Sequence, residues 1–106
     1  MKDSEFNDLV DKTFDAIEDS LDALDVDFDQ AEGVLNIECA DGSMIILSRQ
    51  LASCEVWVAA RSGGFHLAFA DDVWNCSKTN ESLRELLERV LGEQMGEVVN
   101  LQFGSD

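Results

Sequence analysis

From Ser4 onward the apolar residues Phe6, Leu9, Val10, Phe14, Ile17, Leu21 and Leu24 return every three or four positions, the spacing that gathers side chains on one side of an α-helix. With Ser4 as a favourable N-cap, the pattern predicts an amphipathic helix of about six turns. Beyond it the period shortens toward two. Val34, Ile37 and Cys39 run into Asp41-Gly42, a favoured tight turn, and Met44-Ile45-Ile46-Leu47 leads back, as in an antiparallel pair. Two more strand-like runs, Glu55 to Ala60 and Phe65 to Phe69, are joined by Arg61-Ser62-Gly63-Gly64, and a short run Val73 to Cys76 follows. A second helix capped at Thr79 or Asn80 turns Leu83, Leu86, Leu87, Val90 and Leu91 inward and stops before Gly96. Val98 to Phe103 reads as a last strand.

Helix, hairpin-linked strands, helix is the order of an α+β chain. The expected architecture is a two-layer α-β sandwich, with both helices packed on one face of a mainly antiparallel sheet. The other face would be partly solvated. The chain has 106 residues, no proline, no linker and no repeat, so a single domain spanning 1–106 is expected.

Charge changes the picture. Against 7 basic residues stand 23 acidic ones, a formal charge of -16. Such a surface repels nucleic acid and anionic lipid, which are bound through Lys and Arg; the partners it suits are cations and basic protein patches. The opening residues lack the basic-then-apolar pattern of a secretory signal, and no apolar stretch approaches membrane-spanning length, which reads as a cytoplasmic protein without a membrane partner. Cys39, Cys54 and Cys76 are odd in number and far apart, the pattern of buried reduced thiols rather than a disulfide framework or zinc site.

The acids are unevenly placed. On the first helix Asp8, Asp11, Asp15, Glu18, Asp19 and Asp22 fall in one arc opposite the apolar stripe, with Asp3 and Glu5 before them and Asp25, Asp27, Asp29 and Glu32 after. Only Lys2 and Lys12 oppose them over residues 1–32. Like charges at i,i+4 destabilise a helix, so a ridge of this kind costs stability unless something cationic sits on it. Carboxylates are hard ligands suited to magnesium, calcium, manganese and iron, and a convex helix can supply two or three while water completes the shell. Weak, plural, exchangeable binding is the expectation. No calcium-loop pattern is present, since the position where that loop needs Gly holds Gln30. A solubilising face without a specific ligand is the competing reading.

These segments, taken in order, resemble the frataxin family in its bacterial branch. The resemblance is carried by Asp3-Ser4-Glu5-Phe6, the acidic helix, Gly33-Val34-Leu35-Asn36-Ile37, Ile45-Ile46-Leu47-Ser48-Arg49-Gln50 and Val56-Trp57-Val58-Ala59. It continues through Gly63-Gly64-Phe65-His66, Trp74-Asn75-Cys76, Leu86-Leu87-Glu88 and Gly96-Glu97. It implies the same sandwich, and a non-enzymatic iron-binding adaptor that regulates iron-sulfur cluster assembly. Ferrous or ferric iron would be held weakly, other divalent or trivalent cations could substitute, and the protein would be a monomer without iron. The partners implied are the cysteine desulfurase and the iron-sulfur scaffold protein. By matching position, Glu18, Asp19, Asp22 and Asp25 are the main iron candidates, with Asp3, Glu5 and Asp29 behind them. Asp11, Asp15, Glu18, Asp19, Asp22, Gln50 and Trp57 are the partner-binding candidates.

The chain departs from the family pattern in three places. Asn7 stands where bacterial members can carry a histidine, Ser48 replaces the Asn of an Asn-x-Gln motif, and Ala23 thins the ridge by one carboxylate. Alternation along its strand leaves open whether Trp57 or its neighbours face the core, while the resemblance implies an exposed Trp57; Trp74 reads as core. His66, the sole histidine, reads as a structural residue, and with nothing placing a cysteine beside it no catalytic site is expected.

Overall fold

The computed structural model describes residues 1–103. The first helix, α1, spans Asp3–Ala23 and buries Phe6, Val10, Phe14, Ile17 and Leu21, the stripe expected from the spacing. Its N-cap is Lys2 rather than Ser4; the Glu5 carboxylate accepts the Lys2 backbone N–H at 3.3 Å. Glu5, the residue directly after Ser4, therefore closes the helix start two residues earlier than the Ser4 hydroxyl would.

Seven strands follow in simple order, each antiparallel to the next. They are β1 (Asp27–Ala31), β2 (Val34–Glu38), β3 (Met44–Gln50), β4 (Glu55–Ala60), β5 (Gly63–Ala70), β6 (Val73–Cys76) and β7 (Glu81–Ser82). The β2–β3 turn forms as expected. Asp41 Oδ1 accepts the Ser43 backbone N–H at 2.9 Å and its hydroxyl at 2.6 Å, and Gly42 takes the left-handed φ of 88°. The strands not foreseen are β1 and the two-residue β7, which takes the place of the expected first residues of the second helix. Phe28 is the one large apolar residue in Asp27-Phe28-Asp29-Gln30-Ala31, so alternation is hardly visible, and acids along a sheet edge discourage pairing with another chain.

The second helix, α2, spans Leu83–Met95. Its cap is Ser82, not Thr79 or Asn80: Ser82 Oγ accepts the Glu85 N–H at 3.1 Å and Glu85 returns a bond to the Ser82 N–H at 2.9 Å, a reciprocal capping box. Gly96 ends it with a left-handed φ of 72°, as the sequence suggests.

The segment Val98 to Phe103 is not a strand. The Leu101 N–H goes to the Glu88 carboxylate at 2.8 Å and the Gln102 N–H to Ser20 Oγ at 3.2 Å, so two helices satisfy the backbone that a sheet would otherwise pair. Val99 and Leu101 are buried and Val98 is 88% exposed. The two-residue period is real, but the segment lies on the helix layer.

Both helices cover one face of the sheet, where Leu35, Ile37, Ile45, Leu47, Val56, Val58, Phe65 and Leu67 meet their apolar stripes in one cluster. Trp74 is buried there, as expected. Of the three free thiols Cys39 and Cys76 are buried, while Cys54 is only half-buried because it sits in the β3–β4 turn with a left-handed φ of 54°.

Candidate functional site

The carboxylates of α1 divide into two rows. The inner row, nearer the sheet, is held. Asp11 Oδ1 receives Arg49 Nη2 from β3 at 2.7 Å, and Glu18 receives the Gln30 side-chain amide from β1. Arg49 also donates to Asn7 Oδ1 at 3.2 Å and lies over the Phe14 ring at 5.6 Å. The outer row, Asp8, Asp15, Asp19 and Asp22, is exposed, and none of the four makes a hydrogen bond or ion pair among the described residues.

Electrostatics follow from that arrangement. Burial raises the Glu18 carboxyl above its ordinary value; Asp15 adds to this, as do Asp22 and Asp19, against the opposing Gln30 hydrogen bond. Three neighbouring negative charges thus make Glu18 hold a proton more readily, and a cation placed among them would displace it. Coordination here would be open: among the described residues no three Asp, Glu, His or Cys side chains converge on one point. Hard oxygen donors on a convex surface suit a hydrated iron, calcium or magnesium ion taken up by a few side chains at a time.

Residues 1–97 match the family model described as Frataxin-like domain. The chain belongs to the frataxin family, in its CyaY branch. It is 42% identical over 106 residues to the iron-sulfur cluster assembly protein CyaY of Stutzerimonas stutzeri, covering 96% of each chain. With the protein of the same name from Vibrio parahaemolyticus it shares 38% over 102 residues, 94% of this chain and 98% of that one. The solved frataxin of Psychromonas ingrahamii superposes with a TM-score of 0.89 at 28% identity, over 97% of this chain and all of that one. The antiparallel sheet under two helices is therefore the frataxin fold.

On this frataxin fold the iron candidates taken from the resemblance are not one cluster. Glu18, Asp19 and Asp22 lie together on the last turns of α1, and Asp25 follows at the helix exit with a left-handed φ of 57°. Asp3 and Glu5 are in the first turn, about 22 Å and about 20 Å from Glu18 along the helix axis, and Glu5 is engaged in capping. Asp29 is set apart. In β1 it is Phe28 that packs against the core, so alternation directs Asp27 and Asp29 to the opposite face of the sheet.

That open face carries the other two candidates. Trp57 is 37% exposed, in agreement with the resemblance, because Val56 and Val58 take the core side of β4. Its ring lies flat on His66, with centroids 4.2 Å apart and 7° between planes; the pair are direct cross-strand neighbours on β4 and β5. His66 is exposed, a surface stacking partner between the inward-facing Phe65 and Leu67. Trp57 Nε1 donates to Glu55 Oε1 at 3.1 Å, and that bond holds the Glu55 carboxyl below its ordinary range. Gln50, at the end of β3, shares this face and pairs in register with Glu55. Ile46 and Met44 add exposed apolar surface.

Arg49 and Gln30, which fasten the inner row, had no visible signal in the sequence. Each sits 12 or more positions from its carboxylate, and only the packing of α1 over β1 and β3 brings them together.

Proposed function

We propose that this protein is an adaptor of iron-sulfur cluster assembly that carries weakly held ferrous or ferric iron on the acidic ridge of α1 and its exit, and docks on the cysteine desulfurase through the same ridge. The observation that carries the reading is the unpaired outer row. Four carboxylates on one helix with no ion-pair partner among the described residues are a standing electrostatic cost, relieved by a cation or a basic protein surface. Membership of the frataxin family, and the printed name of its CyaY relatives, support cluster assembly as the setting. On this reading Glu18, Asp19, Asp22 and Asp25 form the main iron surface, and Asp3, Glu5 and Asp29 are separate, weaker positions. Iron is cargo, other hard cations can replace it, and the protein is a monomer in its absence. It acts in the cytoplasm and performs no catalysis of its own. The Trp57–His66 stack with Gln50 and Ile46 supplies an aromatic anchor for the iron-sulfur scaffold protein, since a flat exposed ring at the centre of a patch is the usual core of an interface.

A second reading has an observation in its favour. The lack of any converging set of three ligands suits a ridge that serves only to dock on a basic patch and binds metal incidentally.

An anaerobic NMR titration of the amide spectrum with ferrous iron, repeated with purified cysteine desulfurase, separates the two. The adaptor reading expects both titrations to perturb residues of α1, strongest from Glu18 to Asp25. A desulfurase response without an iron response would leave the docking reading in its place.

A further inference from the structure

Resting on the reading of the ridge as a cation surface, we infer that Arg49 is its built-in counter-cation: it withdraws Asp11 from the exchangeable set and grades the ridge, weakest beside Asp11 and strongest toward Asp22.

The guanidinium is fixed from several sides. One nitrogen meets Asp11 at 2.7 Å and another meets Asn7 at 3.2 Å, and the plane lies over Phe14. The Arg49 side chain is 19% exposed, against 61% for Asp11. Behind it, Gly33 packs close: a Cβ there would approach Arg49 Nε to 3.1 Å, so the arginine side chain would have to give way slightly. A planar fork held in this way loses little further freedom on pairing, unlike a long side chain waving at the surface. No other Lys or Arg pairs with an α1 carboxylate among the described residues.

Two consequences follow. A cation arriving at Asp11 must displace a guanidinium or sit beside one. Repulsion from that charge also fades over about 10 Å in ordinary salt, while Asp22 stands about 16 Å further along the helix axis than Asp11. Asp15 lies within reach of the repulsion and Asp22 beyond it. Asp11 is thus part of the fold's own charge balance although it sits within the acidic stripe.

The test is a titration with lanthanum(III), a diamagnetic hard cation, followed residue by residue by NMR in the wild-type protein, Arg49→Gln and Arg49→Lys. In the wild type the perturbation should grow from Asp15 to Asp22 and be smallest at Asp11. Arg49→Gln should bring Asp8 and Asp11 into the response, with affinity at that end rising roughly fivefold, the scale set by loss of one partly exposed charge pair. Arg49→Lys keeps the charge and should retain the wild-type gradient, which separates an electrostatic role from a packing one; the amide spectra report whether each variant is folded. An Asp11 response equal to that of Asp22 in the wild type, or an Arg49→Gln map identical to wild type, overturns the inference and leaves the cation reading standing. Silence along the whole ridge overturns both.

Discussion

The ridge of α1 and the open face of the sheet are both exposed, and they differ in what their side chains are bound to. On the sheet face Trp57 is stacked on His66 and hydrogen-bonded to Glu55, so the aromatic pair and the Glu55 carboxylate have partners before any other molecule arrives. On the ridge the outer carboxylates have none among the described residues, and the inner ones are fastened to the sheet by Arg49 and Gln30. A surface of the first kind recognises shape and arrives pre-ordered; a surface of the second kind attracts any positive charge and is strained without one. The two should therefore respond separately to mutation, salt and pH.

The strongest way to break that division is charge reversal. Glu18→Lys with Asp22→Lys should abolish site-resolved iron shifts and weaken desulfurase binding on the order of 100-fold, since opposing charges become like ones; calorimetry and the NMR titration measure both. Unchanged binding of either ligand would remove the ridge from function. Trp57→Ala should do the reverse, weakening the scaffold protein by roughly 30-fold, as for a central aromatic anchor, while the iron map stays as in the wild type. A shifted iron map in Trp57→Ala would mean that the two surfaces are coupled.

Acidity sharpens the comparison further. Glu18 is raised in the folded state, by burial first and then by Asp15, so the native chain takes up its proton more readily than the unfolded chain. Stability should increase as the pH falls through that folded value. Glu55, held low by Trp57, Glu81, held low by Arg89, and Asp41, held low by Ser43, are shifted the other way. Their contribution is complete above the unfolded values and is lost as the pH falls through the folded ones, below roughly pH 4. Thermal midpoints should thus rise on acidification from pH 7 and then turn over, with a smaller rise in Glu18→Gln. A steady fall from pH 7 to about pH 5.5 would contradict the account of a strained ridge.

The smallest expected effect is also the simplest. Asp15→Asn removes one member of the like-charge pairs with Asp11, Glu18 and Asp19, and should stabilise the protein by about 0.3 kcal/mol at low salt. The gain should shrink as salt screens the ridge, which a series of denaturation curves at two ionic strengths would show.

Much of this was legible in the residues themselves. The stripes of α1 and α2, the hairpins from β2 to β6, the Asp41-Gly42 turn and the Gly96 stop are local periodicities and turn chemistries, written within a few positions of where they act. The concentration of acids on one helix is equally local, because helical geometry alone aligns Asp11, Asp15, Glu18 and Asp22. What the tertiary structure decided is which neighbour each group meets. It put Val99 and Leu101 on the helices through Glu88 and Ser20 rather than in the sheet, and it made an edge strand of residues whose alternation a single Phe28 could not reveal. It turned Asp29 away from the ridge. It also brought Arg49 across 38 positions to Asp11, so that an unbroken row of carboxylates in the sequence became a row with one member already neutralised. Period and propensity act over a few residues along the chain, whereas charge pairing and hydrogen bonding act over a few ångströms in space, and only folding makes the two kinds of neighbour coincide.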